Sequence, residues 1–255
     1  MRIGTCVSVL LLLAACGRNE TIDEVQFGIT SASAVGHASA MAMDAMKGMV
    51  STCATVTAGC STYPCQSGAV SITLGAGCPL PLGGDASGTV TVSGSWSSAD
   101  QATLSHVFAN TQVASQGKAL AVASVTQVSA QRSGNIVTVR YSGANAVAGA
   151  SGSAVAVGAS DTWTVTVDGK GTADPSDDRL TVDASSASGG FASARVATIK
   201  GVTLDPSCRQ NPTTGSADIT EVSGIIPKIT KIQFHAACDG KAEVNGSTQD
   251  LQILP

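Results

Sequence analysis

Four stretches of the chain alternate apolar and hydroxyl-bearing residues with a period of two, and that alternation fixes the class of fold. Val70, Ile72 and Leu74 oppose Ser71 and Thr73, and Val90 and Val92 oppose Thr89, Thr91 and Ser93. Val137, Val139 and Tyr141 oppose Thr138, Arg140 and Ser142, and Trp163, Val165 and Val167 oppose Thr162, Thr164 and Thr166. Successive side chains of a strand point to opposite faces, so each stretch predicts a strand with one buried face and one Thr-rich face toward water. Val113 to Val128 and Ala146 to Val157 predict two further strands. Turn residues separate these runs: Ser133-Gly134-Asn135, Gly149 to Gly152, Asp168-Gly169-Lys170-Gly171 and Ser188-Gly189-Gly190. Short Gly turns join antiparallel neighbours, and without long amphipathic helices between strands a parallel α/β sheet has no support. The expected fold is mainly β: an antiparallel meander, open or partly closed, stabilised by disulfides.

One helix accompanies the sheet. Thr21-Ile22-Asp23-Glu24 has the spacing of a capping box, and residues 31–50 are rich in Ala with Met41, Met43, Met46 and Met49. Small residues let a helix approach another surface closely, so it is expected to pack on the sheet. Flexible thioethers also adapt to greasy ligands, which makes Met43 and Met46 the candidate ligand contacts.

The mature domain keeps Cys53, Cys60, Cys65, Cys78, Cys208 and Cys238, an even set that in an exported chain implies disulfides. Near the C-terminus Ile232, Phe234, Ala236 and Cys238 fall in phase, so Cys238 is expected to face inward. A bridge to Cys208 would close a loop of about 30 residues and stabilise by roughly 3 to 4 kcal/mol in the chain-entropy model. The other four cysteines then retain three possible pairings. No CxxC pair or nearby histidine marks zinc or redox chemistry. Pro227 falls where the alternation breaks and marks an edge or bulge.

The N-terminus decides location. Arg2 precedes the apolar run Val9-Leu10-Leu11-Leu12-Leu13, which is far short of the roughly 20 residues a spanning helix needs and therefore predicts a removable signal. Leu13-Ala14-Ala15-Cys16-Gly17 resembles the lipobox of bacterial lipoproteins. The resemblance implies cleavage before Cys16, a diacylglyceryl thioether on its sulfur, palmitate or a similar acyl group on its amine, and stable anchoring in the cell envelope. Gly17 in place of Asp implies the outer membrane in a Gram-negative cell, and hence a periplasmic or surface domain. The division expected is signal peptide 1–15, lipidated tether 16–30, and a single β-rich domain with its N-terminal helix, 31–255.

Charge and motif content narrow the function. The formal charge of −4 becomes −5 once Arg2 is removed, and without a basic cluster there is no footprint for nucleic acid or for anionic headgroups. His37, His106 and His235 are the only histidines, none within a His-x3-His pair or beside a Gly-x-Ser-x-Gly elbow, so no enzymatic function is expected, a hydrolase stands only as a distant third reading, and no cofactor is called for. The acidic stretch Asp168 to Asp178 lacks the EF-hand order; a solvated hairpin loop is the expectation, with Asp174, Asp177 and Asp178 the ligands should it hold Ca²⁺. A helix over the concave side of a curved sheet is similar in outline to the lipoprotein-carrier folds LolA and LolB, which implies lipid handling. The expectation is a membrane-anchored envelope lipoprotein with a structural or partner-binding role, the alternative being a binding or carrier protein for an apolar, lipid-like ligand.

Overall fold

A computed structural model describes residues 20–47, 56–58, 61–63, 65–66, 69–79, 85–98, 100–115, 118–122, 125–142, 145–149, 154–157, 162–171, 177–190, 193–208, 212–222 and 226–251. Helix α1 (Glu20–Lys47) comes first. Short strands β1 (Val56–Ala58), β2 (Ser61–Tyr63) and β3 (Cys65–Gln66) lead into β4 (Ala69–Pro79), β5 (Asp85–Ser98) and β6 (Gln101–Ser115). Then follow β7 (Lys118–Val122), β8 (Val125–Ser133), β9 (Ile136–Ser142), β10 (Asn145–Gly149), β11 (Ala154–Val157) and β12 (Thr162–Asp168). The C-terminal part is β13 (Arg179–Gly190), β14 (Ser193–Leu204), a 3-10 turn at Pro206–Cys208, β15 (Pro212–Val222), β16 (Lys228–Phe234), β17 (Lys241–Val244) and β18 (Ser247–Asp250).

Every pairing is antiparallel, and the pairs β4–β5, β5–β6, β6–β8, β8–β9, β9–β12 and β12 through β18 in succession form one open meander. Strand β6 forks. Its first half pairs with β8 and its last residues with β7, and β7 in turn pairs with β10 of the β10–β11 hairpin. The stretches Val113 to Val128 and Ala146 to Val157, expected to add one strand each, are instead divided among parts of β6, β7 and β8 and between β10 and β11. The edge strand β18 is short and polar, which discourages pairing with another chain.

Alternation places one residue in two on the inner face. Val137, Val139 and Tyr141 of β9 meet Val167, Val165 and Trp163 of β12 in register, and these meet Leu180, Val182 and Ala184 of β13. The same inner row continues through Ile199, Ala217 and Ile232 to Val244, all buried. Tyr141 and Trp163 stack with ring centroids 6.3 Å apart.

The helix lies over this face and packs against β4 to β6 and β8 to β13. An ordinary surface helix keeps a polar stripe for water. Here every residue from Ala32 to Met43 is buried except Ala34, so the curved sheet covers α1 on nearly all sides. Ala, Ser and Gly make that possible by keeping the helix thin. A Cβ on Gly28 would stand 2.8 Å from the ring of Trp163, and one on Gly36 would stand 2.5 Å from Cγ1 of Val165. The helix is under way by Glu20, within the stretch 16–30 expected as tether, and Val25, Gly28 and Ile29 are already buried. Thr21, expected to cap the helix, lies inside it, and the buried Val25 and Ile29 carry its first turns into the core.

Cys208 and Cys238 are bridged, with Cα atoms 5.3 Å apart and a sequence separation of 30. The expectation that Cys238 faces inward is overturned. Strand β16 ends at Phe234, and Ala236 and Cys238 lie exposed in the following turn, where Cys238 takes a left-handed backbone (φ 52). The buried partner is Cys208. Cys53 and Cys60, and the side chains of Cys65 and Cys78, lie outside the described residues.

Helix propensity alone makes Gly36→Ala stabilising by about 1 kcal/mol, whereas overpacking against a close-packed neighbour costs about 1–3 kcal/mol. Val165 is anchored on a central strand and cannot move aside, so the expected outcome is a net loss, read as a lower urea midpoint at unchanged m. A raised midpoint would show that helix and sheet are not in close contact there.

Candidate functional site

The side chains with most chemical capacity are gathered at the interface between α1 and the sheet. Ser33, His37 and Ser39 of the helix are buried, as are His106 of β6 and Asp178 just ahead of β13. Ser33 and His37, four residues apart, share one helix face. Buried polar groups of this kind are costly unless partnered, so their contacts decide what they do.

Ser39 Oγ donates to the carbonyl of Val35 at 2.8 Å and lies 3.0 Å from Nε2 of His106. With the hydroxyl proton committed to the carbonyl, the imidazole Nε2–H donates to Oγ. His106 occupies an inward position of β6, in phase with Ala102 and Leu104 and opposite Val92 of β5. Both Ser39 and His106 are 0% exposed. Burial pushes the His106 pKa down to about 4, so the ring is neutral at ordinary pH.

His37 faces Asp178, with Nε2 3.6 Å from Oδ2 and both side chains 9% exposed. That separation is beyond hydrogen-bond length. Burial pushes the His37 pKa down to about 4 as well. At the C-terminal end of α1, Nη2 of Arg132 meets Oδ1 of Asp44 at 2.7 Å; the guanidinium is nearly enclosed while the carboxylate is half-exposed. These three contacts tie α1 to β13, β6 and β8.

A serine within reach of an imidazole is the first requirement of nucleophilic catalysis. The arrangement among the described residues is a different one. Ser39 faces His106 and Asp178 faces His37, so the hydroxyl and the acid belong to different rings, and the Ser39 pair is closed to solvent. The pairs act as packing contacts between helix and sheet.

The sequence-derived candidates fall in different places. Met43 is fully buried in the core, and the side chain of Met46 lies outside the described residues. Asp174 is outside them too, Asp177 is half-buried, and Asp178 is turned inward to His37 instead of standing in a solvated loop. No group of three potential metal ligands occurs among the described residues. Cys16 precedes the described part. Sequence reasoning missed the pairing of the two histidines with helix and sheet. The available signals were the phase of His106 with Ala102 and Leu104, and polar residues recurring at helical spacing in a segment otherwise made of Ala and Met.

Both histidines lose affinity for protons on folding, so their linkage has one sign. Above about pH 6.5 they are neutral folded or unfolded, and stability is flat; as pH falls toward about 4 the unfolded chain takes up protons that the folded one refuses, and stability is lost, by roughly 3 kcal/mol for each ring. Urea unfolding compared at about pH 7 and about pH 4.5 is expected to show this loss, and His106→Leu to remove roughly half of it. An unchanged slope in His106→Leu would show that His106 is not buried neutral.

No protein family model matches the chain, and neither a curated protein nor a solved structure is significantly similar to it, so the outline shared with LolA and LolB carries no argument.

Proposed function

We propose that this chain is a lipid-anchored envelope lipoprotein whose β domain serves a structural or partner-binding role at the membrane surface. The observation that carries the reading is Leu13-Ala14-Ala15-Cys16-Gly17 after a short apolar run. Two features support it. The disulfide between Cys208 and Cys238 suits an oxidising compartment outside the cytosol. Only residues 17–19 separate Cys16 from helix α1, so an anchored domain would sit close to the bilayer. Among the described residues no helix is long and apolar enough to cross a membrane, and the attachment in this reading is acylation of Cys16.

The outer face gives such a domain its surface. On β9, β12 and β13 the outward positions are Thr138, Arg140 and Ser142, Thr162, Thr164 and Thr166, and Thr181, Asp183 and Ser185, which stand in rows across the strands. Hydroxyls with few charges make short, neutral hydrogen bonds to a partner while adding little electrostatic steering. The alternative of a carrier for an apolar ligand draws less support. Met43 and the inner face of the sheet are packed into one core with α1, which fills the space a ligand would need.

Metabolic labelling with palmitate tests the anchor. The wild-type chain is expected to carry label and to fractionate with membranes, and Cys16→Ala to lose the label and remain as an uncleaved precursor. Label retained in Cys16→Ala, or none in the wild type, would sink the reading.

A further inference from the structure

One short motif stands apart from the core and from the helix contacts: Glu243-Val244-Asn245-Gly246-Ser247. Asn-x-Ser/Thr, with any residue but Pro in the middle, is the acceptor triplet for N-linked sugar and belongs on the surface of an exported chain. A chain rich in Ser and Thr produces such triplets by composition alone, so neighbours and placement decide which has meaning. Asn211-Pro212-Thr213 is barred by its proline. Asn19-Glu20-Thr21 has Gly at the second place before its Asn, and its Thr21 is held within α1. Asn245 follows an acid, Glu243, two residues earlier, the addition that marks the bacterial form of the motif.

The motif occupies the tip of the β17–β18 hairpin. Val244 pairs with Ser247 and Glu243 with Thr248, so Asn245 and Gly246 form a two-residue loop, both in left-handed backbone (φ 50 and φ 79). Asn-Gly is the pair that such a turn prefers. Ala242 and Val244 are buried, whereas Glu243, Asn245, Gly246 and Ser247 are exposed. A Cβ on Gly246 would meet nothing within 4 Å, so the tip stands clear. The backbone N–H of Asn245 donates to the carbonyl of Lys231 at 2.9 Å, and Oδ1 accepts from the N–H of Lys231 at 2.8 Å. These bonds fix the carboxamide at the surface by its oxygen, while Nδ2 makes no hydrogen bond among the described residues. Turn chemistry accounts for Asn245 and Gly246 but not for the other two positions. The side chains of Glu243 and Ser247 make no hydrogen bond or ion pair among the described residues, and the register neighbours of Glu243, Gln233 and Thr248, are uncharged.

We propose that Asn245 is the acceptor of an N-linked oligosaccharide, transferred from a polyprenyl diphosphate carrier by an oligosaccharyltransferase of the envelope. The inference rests on the envelope reading above, because this transfer acts on chains carried across the membrane. Nδ2 attacks C1 of the reducing-end sugar. The N–C bond forms as the C–O bond to the diphosphate breaks, the diphosphate leaves with the bonding pair, and Nδ2 releases one proton. The hydroxyl of Ser247 hydrogen-bonds to the transferase, and the carboxylate of Glu243 pairs with a cationic side chain there. A hairpin tip suits this task because an enzyme must enclose the acceptor from both sides, which neighbouring strands prevent at a position inside the sheet.

The test uses the full-length protein isolated from the envelope of the cells that make it. Trypsin releases residues 242–255 as one peptide, since no Lys or Arg follows Lys241. Mass spectrometry is expected to find this peptide carrying hexose and N-acetylhexosamine residues, and fragmentation that preserves the sugar to place them on Asn245. Ser247→Ala, which keeps the Asn245-Gly246 turn and its ties to Lys231, is expected to yield the bare peptide, and Ser247→Thr to keep the sugar. Glu243→Gln is expected to lower occupancy by about tenfold, the effect of losing one charge-assisted hydrogen bond. With Cys16 acylated in the same digest, three results would overturn this inference alone: a bare wild-type peptide, one changed only by deamidation of Asn245, or sugar located on Ser247 or Thr248. A bare peptide together with an uncleaved, unacylated N-terminus would overturn it along with the anchor.

Discussion

Everything in the domain depends on how closely α1 approaches the inner face of the sheet. The strands offer Val, Leu, Ile and Ala on that face, with the large rings of Tyr141 and Trp163 on neighbouring strands. Such a face needs a cover, and the helix supplies it from Val25 to Met43. The cover is effective because it is thin. Gly28 accepts the edge of Trp163 and Gly36 accepts Val165, so side chains on the sheet fill the space that a Cβ would occupy. Each glycine costs the helix about 1 kcal/mol of propensity, and the packing it permits along a central strand outweighs that loss.

A helix clad in Ala, Ser and Met offers many nearly equal ways to rotate or slide on a surface of Val. The polar contacts remove this degeneracy. Ser39 meets His106 on β6, His37 meets Asp178 ahead of β13, and Asp44 meets Arg132 on β8, so the ties reach separate places on the sheet. Misplacing α1 by one residue would leave a buried imidazole or guanidinium facing aliphatic carbon, a penalty larger than any one contact contributes. The neutral state of both rings follows from the same enclosure, because a charge there would lose its hydration.

The alternation of Val90 to Val92, Val137 to Tyr141 and Trp163 to Val167 made their strands legible, as did the Gly134-Asn135 turn between β8 and β9, because these signals are local. The disulfide was legible from compartment and count. Less accessible were features that depend on what lies across the fold. Residues 146–157 are small and apolar throughout, and a hairpin of two short strands has the same composition as one long strand. Cys238 continues the period of Ile232 and Phe234, yet the strand stops before it, and periodicity carries no stop signal of its own. Asp178 belongs to an acidic, Gly-containing stretch that looks solvated in sequence, and it turns inward because His37 lies beneath it. The polar partners at the helix were hidden for a simple reason. Each links residues far apart in the chain, and neither member is unusual by itself.

The direction of α1 also gives the sheet two unlike ends. At the end where β12 finishes, the connections are held by covalent and polar ties. Asp205 Oδ1 accepts from both the backbone N–H and the hydroxyl of Ser207, and these hydrogen bonds hold its carboxyl below the usual range. The Cys208–Cys238 bridge joins the connection after β14 to the one after β16. Arg132 fastens the neighbouring hairpin to the helix. The opposite end, where the helix begins, carries the exposed corner of Val196, Val222, Ile226 and Ile229. A crosslinked surface has little conformational entropy left to lose, so the bridge stiffens the end of the sheet opposite the start of α1, and the two ends differ in rigidity as well as in polarity.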